Sequence, residues 1–174
     1  MKSTSLYFCL AAVVLLLLAA CGTTPEPTEP EEAIETAEEP SNPFVGTWIL
    51  NVDKSTFNPP ELALKSDVVV IEAQENGLKF TIDRVDAAGN TSHIEAAPKF
   101  DGQSYPITGG PSANMSSLTR LGENSFESVV FEDDVELSRT QVVISDDGKT
   151  STSTSTLKDE NGQEVTLIAI YDKQ

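Results

Sequence analysis

Side chains that commonly carry out catalysis or bind metals are sparse in this 174-residue sequence. His93 is the single histidine, and no second ligand stands at metal-binding spacing from it. No serine lies in a nucleophile elbow. Carboxylates cluster at residues 132–134 and 146–147, but both clusters fall at predicted turns, where such groups are usually solvated. The sequence therefore predicts no enzyme activity, no metal and no cofactor, with a weak calcium site at residues 132–136 as an alternative.

The charge of the chain excludes one class of partner. There are 28 Asp and Glu residues against 11 Lys and Arg residues, which gives a net charge of −17. Binding to nucleic acid needs clustered Lys and Arg to contact phosphates, so the sequence predicts no nucleic-acid partner. Hydrophobic residues make up 39 % of the chain, and this length favours one folded domain. Nothing in the sequence identifies a protein partner.

The N-terminus carries a targeting segment. Lys2 precedes an uncharged, mostly apolar run at residues 6–20, which is typical of a secretory signal peptide. The run is 15 residues long, shorter than the roughly 20 residues that a membrane-spanning helix needs. It ends in Leu18-Ala19-Ala20-Cys21, which resembles the lipobox of bacterial lipoproteins. The resemblance implies that residues 1–20 are removed and that Cys21 receives a diacylglyceryl group and further acyl chains such as palmitate.

The lipobox also implies a location. Acylated Cys21 would anchor the protein in a membrane of the cell envelope, since several acyl chains give stable anchoring. Gly22 follows the cysteine, whereas Asp at that position resembles an inner-membrane retention signal. The outer membrane is therefore favoured if the source has one. The alternative is an ordinary signal peptide that leaves Cys21 as a free thiol.

An acidic segment follows the lipobox. Residues 22–41 contain seven Glu and four Pro but no Lys or Arg. Such a composition cannot bury enough apolar surface to offset the entropy of ordering the chain. We predict that residues 21–42, the tether, are disordered and extended. A helix at residues 31–39 is the alternative, although its unneutralised like charges disfavour it.

Residues 43–174 show the two-residue periodicity of β-strands and no convincing helical stripe. About ten short strands alternate with turn signals such as Asn76-Gly77, Asp101-Gly102 and Asp147-Gly148. The pattern predicts an all-β domain, an antiparallel meander of eight to ten strands. So many strands must close into a barrel or split into a β-sandwich, because an open sheet leaves exposed edges. Residues 150–156, which alternate Thr and Ser, predict an exposed or edge strand.

The start of the domain favours the barrel. The sequence Phe44-Val45-Gly46-Thr47-Trp48 resembles the G-x-W signature of lipocalins and related calycin barrels. This resemblance implies a closed barrel with Trp48 at one end beneath an Arg from a late strand, for which Arg120 and Arg139 are candidates. The second lipocalin motif is absent. Residues 46–51, 99–106 and 171–172 also resemble uncharacterised bacterial secreted proteins with lipocalin-like domains, which imply a fold but no chemistry.

A barrel interior could hold a ligand. An interior arginine is costly unless it is paired, and a carboxylate-bearing amphiphile would pair with it. Alternation places Arg84 after Phe80 and Ile82 on one face, and Arg139 after Leu137. The alternative is that both arginines point outward toward the acidic surface. Our predicted ligand-binding set is Trp48, Phe80, Ile82, Arg84, Phe126, Arg139 and Tyr171.

Two functions follow from these expectations. The first is an envelope lipoprotein whose barrel binds or carries a small apolar or amphiphilic ligand. The alternative is a non-catalytic structural or interaction module with a filled core, since small barrels can be packed solid by their own side chains. A cavity of several hundred Å³ would favour the first over the second.

Overall fold

The structure, a computed structural model, describes residues 42–159 and 161–174. The predicted signal peptide, Cys21 and nearly all of the tether lie outside these residues. Within them the chain forms ten β-strands, as the sequence pattern indicated. They are β1 (Gly46–Leu50), β2 (Leu64–Gln74), β3 (Gly77–Asp86), β4 (Thr91–Ala96), β5 (Tyr105–Thr108), β6 (Met115–Arg120), β7 (Ser125–Glu132), β8 (Val135–Ile144), β9 (Thr150–Lys158) and β10 (Glu164–Lys173).

The ten strands form a closed antiparallel barrel. Each strand pairs with the next in sequence, and β1 closes the ring by pairing with β10, where Trp48 lies opposite Lys173 and Leu50 opposite Tyr171. Closure gives every strand two neighbours and removes the sheet edges. The predicted all-β meander barrel is thus confirmed, and the sandwich alternative is wrong.

Residues with left-handed backbone angles make the tight turns. Asn76 has φ 55° between β2 and β3, and Gly148 has φ 68° between β8 and β9. Asn and Gly reach this region at little cost, which is why they mark hairpin turns in a sequence. The predicted turn signals therefore coincide with real turns.

Two details of the strands differ from the prediction. The sequence pattern predicts a fourth strand at residues 91–100, but β4 ends at Ala96, because Pro98 has no backbone N–H to donate to a ladder. The Ser and Thr strand, β9, is not an edge strand: it pairs with β8 along one side and with β10 along the other. Its high hydroxyl content had suggested exposure, but the closed ring leaves no strand unpaired.

The core is concentrated at one end of the barrel and along its inner surface. Phe44, Leu78 and Leu118 are fully buried, and Trp48 and Phe126 are each 2 % exposed. In an antiparallel meander, the loops after β1, β3, β5, β7 and β9 share one end, the loop end. Phe44 and the connections after β2, β4, β6 and β8 lie at the other, packed end.

Candidate functional site

The barrel encloses a cavity of about 450 Å³. This volume lies in the range of sites that bind small molecules. The cavity reaches the loop end, where Phe57 and Leu62 from the loop after β1 and Pro111 from the loop after β5 line it. The segment after β1 contains two 3-10 turns, at Val52–Lys54 and at Pro60–Leu62.

Aromatic rings close the packed end. The Trp48 indole N–H donates a hydrogen bond to the Phe44 carbonyl oxygen at 2.8 Å. The Phe44 ring meets the Phe126 ring edge-on, with centroids 4.9 Å apart. Phe100 and Phe80 also pack against Phe126, at 6.4 and 6.1 Å between centroids. Such tilted aromatic pairs add stability beyond the surface they bury, so this end is a solid floor beneath the cavity.

The cation above Trp48 is a lysine. The ammonium nitrogen of Lys173 lies 4.9 Å from the centroid of the Trp48 ring. Gly46, with φ 138°, makes room for it, since a Cβ there would lie 2.6 Å from Lys173 Cε. Arg120 instead stacks on the rings of Phe44 and Phe100. The arrangement implied by the lipocalin resemblance, an arginine above the tryptophan, is therefore replaced by Lys173.

One wall of the cavity is apolar. Strands β2, β3 and β4 carry large side chains toward the interior in register, with Ile71 opposite Phe80 and Val69 opposite Ile82. Ile82 in turn lies opposite Ile94. We call this surface the apolar wall; its members are Val69, Ile71, Phe80, Ile82 and Ile94.

The facing wall carries hydroxyl groups. Strand β8 lies five strands from β3 in either direction around the ring, so the two strands face each other across the barrel. On β9 the serines point inward and the threonines outward, and Ser155 is hydrogen bonded to Thr140 of β8 at 2.8 Å. We call the inward set the hydroxyl wall; its members are Ser116, Ser128, Ser138, Thr140, Ser151, Ser153 and Ser155.

A buried ion pair sits beside the apolar wall. Arg84 donates two hydrogen bonds to the Asp67 carboxylate, from Nε at 3.2 Å and from Nη2 at 2.8 Å. The Tyr171 hydroxyl donates a third to Asp67 at 2.8 Å. Asp67 is fully buried, whereas the Arg84 side chain remains 36 % accessible and lines the cavity. The three groups form a hydrogen-bonded network with no net charge.

The network perturbs the acid–base behaviour of its members. Burial lowers the pKa of Arg84, but the hydrogen bonds and charge of Asp67 outweigh it and leave that pKa raised. Burial, followed by the negative charge of Asp67, raises the pKa of Tyr171 far above its usual value. Arg84 is therefore a cation and Tyr171 a neutral donor at any physiological pH.

Six of the seven predicted ligand-binding residues meet at the cavity. Trp48, Phe80, Ile82, Arg84, Phe126 and Tyr171 all line it. Whether they contact a ligand stays a prediction.

Arg139 does not lie with them. It pairs with the carboxylates of Glu127 and Glu136 on the outer surface, so the expectation of an interior position is wrong. On β8 the inward residues are Ser138, Thr140, Val142 and Ile144, while Val143 is 50 % exposed. Leu137 and Val143, which are in phase with Arg139, had indicated the opposite face.

The sequence interpretation missed two features of the site. Asp67 was not singled out, although it is in phase with the inward residues Val69 and Ile71, and an acid on that face would have been the signal. The hydroxyl wall was also missed. Its signal was the strict alternation on β9, since Ser is the smaller residue and Thr favours the outer surface of a strand.

His93 lies on the outer surface. Its Nδ1 is 2.7 Å from the Asp83 carboxylate, and both side chains are more than half exposed. Within residues 42–159 and 161–174, no group of three or more His, Cys, Asp or Glu residues could hold a metal ion.

The fold and the site together define a closed β-barrel with an internal cavity. Comparisons of the chain with protein-family models and with curated proteins found no match. Among the residues that the structure describes, no helix is both long enough and apolar enough to cross a membrane.

Proposed function

We propose that this protein is an envelope lipoprotein whose barrel binds or carries a small apolar or amphiphilic ligand. The observation that carries the proposal is the 450 Å³ cavity, with its apolar wall and a few placed polar groups. Ligand sites commonly combine a mostly apolar lining with a small number of oriented polar groups. A structural module would need no such space, because inward side chains can fill a small barrel completely.

The cavity can be tested with a matched pair of variants on one strand. Ala96 lines the cavity, and its neighbour Glu95 is exposed. We expect Ala96→Phe to occupy part of the cavity and to weaken uptake of N-phenyl-1-naphthylamine, an uncharged apolar fluorophore. Glu95→Phe should leave uptake unchanged. The titration uses the full chain with Cys21→Ser, which removes the acylation position.

Two outcomes would contradict ligand binding. One is an absence of fluorophore uptake by the parent chain, together with native mass spectra that show no co-purifying small molecule. The other is equal uptake by Ala96→Phe and Glu95→Phe, which would place the fluorophore on the outer surface.

Anchoring rests on the lipobox and has its own test. In a bacterial host fed labelled palmitate, the parent chain should take up the label. Cys21→Ser should lose the label, whereas Cys9→Ser should keep it, because Cys9 lies in the predicted signal peptide. Label retained by Cys21→Ser would contradict acylation at Cys21.

A further inference from the structure

The two walls point to the chemistry of the ligand. We infer that the cavity takes an uncharged amphiphile whose apolar part lies on the apolar wall and whose hydroxyl or carbonyl groups meet Arg84 and the hydroxyl wall. The inference rests on the proposed function and narrows it to one class of ligand. A carboxylate-bearing amphiphile, which the sequence suggested for Arg84, is disfavoured.

The charge balance of the cavity carries the first step. Among the described residues that line the cavity, Arg84 is the one with a charged side chain. Its charge is already matched by Asp67, which is fully buried. A fatty-acid carboxylate at this point would bring a second negative charge beside the pair. An uncompensated charge in a poorly solvated site costs far more than a neutral polar group that is hydrogen bonded.

Arg84 can still bind an uncharged oxygen. A guanidinium has five N–H donors, and the Nε and Nη2 bonds to Asp67 use two of them. The other donors belong to a side chain that is 36 % accessible and lines the cavity. A hydroxyl or carbonyl oxygen of the ligand can accept from them without changing the net charge of the network.

Ser116 supplies an independent observation. It is 3 % exposed, and its Oγ is buried without a hydrogen-bond partner among the described residues. Buried hydroxyl groups are nearly always hydrogen bonded, so an unpartnered one calls for an explanation. Rotation about χ1 breaks no hydrogen bond here, and Ser116 lines the cavity. A polar group of the ligand would satisfy the hydroxyl, as expected of a binding site.

The test compares two ligands that share one acyl chain. The full chain with Cys21→Ser is titrated at pH 8 with 1-monolauroylglycerol, which is uncharged, and with dodecanoate, which is ionised. Trp48 is the single tryptophan and lines the cavity, so its fluorescence reports binding. We expect 1-monolauroylglycerol to bind at least tenfold more tightly than dodecanoate.

A serine variant gives a second readout. We expect Ser116→Ala to weaken 1-monolauroylglycerol binding by about two- to tenfold, the usual effect of one lost hydrogen bond. The same variant should raise the melting temperature of the ligand-free protein, because it removes an unsatisfied buried hydroxyl. Thr154→Ala, on the outer face of β9, is the control. It should change neither the affinity for 1-monolauroylglycerol nor the affinity for dodecanoate.

Each outcome decides between the two proposals. If dodecanoate binds as tightly as 1-monolauroylglycerol, or if Ser116→Ala leaves both affinities unchanged, the uncharged ligand class is wrong while ligand binding stands. If neither compound binds, and the parent chain takes up no N-phenyl-1-naphthylamine and shows no co-purifying small molecule in native mass spectra, both proposals are overturned.

Discussion

The apolar wall and the hydroxyl wall are built from the same kind of strand but differ in side-chain size. On β3 the inward residues include Phe80 and Ile82, whereas on β9 they are Ser151, Ser153 and Ser155, with Leu157 near the strand end. Both strands alternate inward and outward residues with a period of two. The cavity therefore does not result from barrel closure alone. It exists because the strands that face the large apolar side chains carry several serines toward the interior.

The two walls also differ in what they contribute to stability. Large apolar side chains stabilise the fold by leaving water, and they do so whether or not a ligand is present. The hydroxyl wall gives little by burial, because a hydroxyl group must keep a hydrogen bond to avoid a penalty. We expect changes near the apolar wall and the floor to act mainly on stability, and changes in the hydroxyl wall to act mainly on binding.

The largest effect on stability should come from a change in the aromatic floor at the packed end of the barrel. Phe126→Ala should lower the free energy of unfolding by about 3–5 kcal/mol, because it opens a void among Phe44, Phe100 and Phe80. Phe80→Ala should cost less, since Phe80 is only partly buried and its ring packs against one other ring, that of Phe126. Urea unfolding of the full chain with Cys21→Ser measures both. If the two variants lost the same free energy of unfolding, the description of a packed floor beneath the cavity would be contradicted.

Breaking the ion pair beside the apolar wall should have the next largest effect. Asp67→Ala leaves the Arg84 guanidinium without its partner and should cost about 2–3 kcal/mol, below the usual value for fully buried pairs because Arg84 is partly accessible. The double variant Asp67→Leu with Arg84→Met should recover most of this loss, because an apolar pair replaces the charges. The same urea titration tests both, and a double variant as unstable as Asp67→Ala would contradict this account.

Making the hydroxyl wall resemble the apolar wall should barely change stability. Ser153→Val should shift the free energy of unfolding by less than about 1 kcal/mol, since it buries a little more apolar surface. It should weaken 1-monolauroylglycerol binding by about two- to tenfold through steric filling and the lost hydroxyl. Thr154→Val on the outer face of the same strand should leave binding unchanged. If both variants weaken binding equally, the loss does not arise in the cavity.

The smallest effect on stability is expected at the outer surface, away from both the apolar wall and the hydroxyl wall. The hydrogen bond to Asp83, and then its charge, raise the pKa of His93 above 6.5. Because the folded pKa is the higher one, any stabilisation is present below pH 6.5 and is lost as the pH rises through the folded pKa. A proton NMR titration of the single histidine should show the raised pKa, and Asp83→Asn should lower it. An unchanged pKa in Asp83→Asn would contradict the pairing.

Much of the fold was predictable from local sequence. The ten strands were recognisable because alternation and Asn-Gly or Asp-Gly turns are local properties of the chain. Strand ends were less predictable, as at Pro98. The missing backbone N–H of a proline interrupts a strand only where a neighbouring strand would have accepted its hydrogen bond. The role of Gly46 was also invisible, because it depends on Lys173, more than a hundred residues later.

The site was predictable only in part. Trp48, Phe80 and Phe126 follow from apolar residues that face inward. Arg139 was misplaced because β8 carries apolar residues on both faces, Val142 and Ile144 inward and Val143 outward, so alternation alone does not select the face. Asp67 could not be paired with Arg84 from the sequence, because the contact depends on the register between β2 and β3.

By itself, the sequence determined the acidic character of the chain and a meander of short antiparallel strands, because composition and alternation are local. Only the tertiary structure decided that β1 meets β10, that Asp67 neutralises Arg84, and that small hydroxyl residues face large apolar ones across an open space. These features depend on which side chains of different strands lie at the same height along the barrel axis. Strand register and barrel closure set those heights, and both involve residues far apart in the sequence.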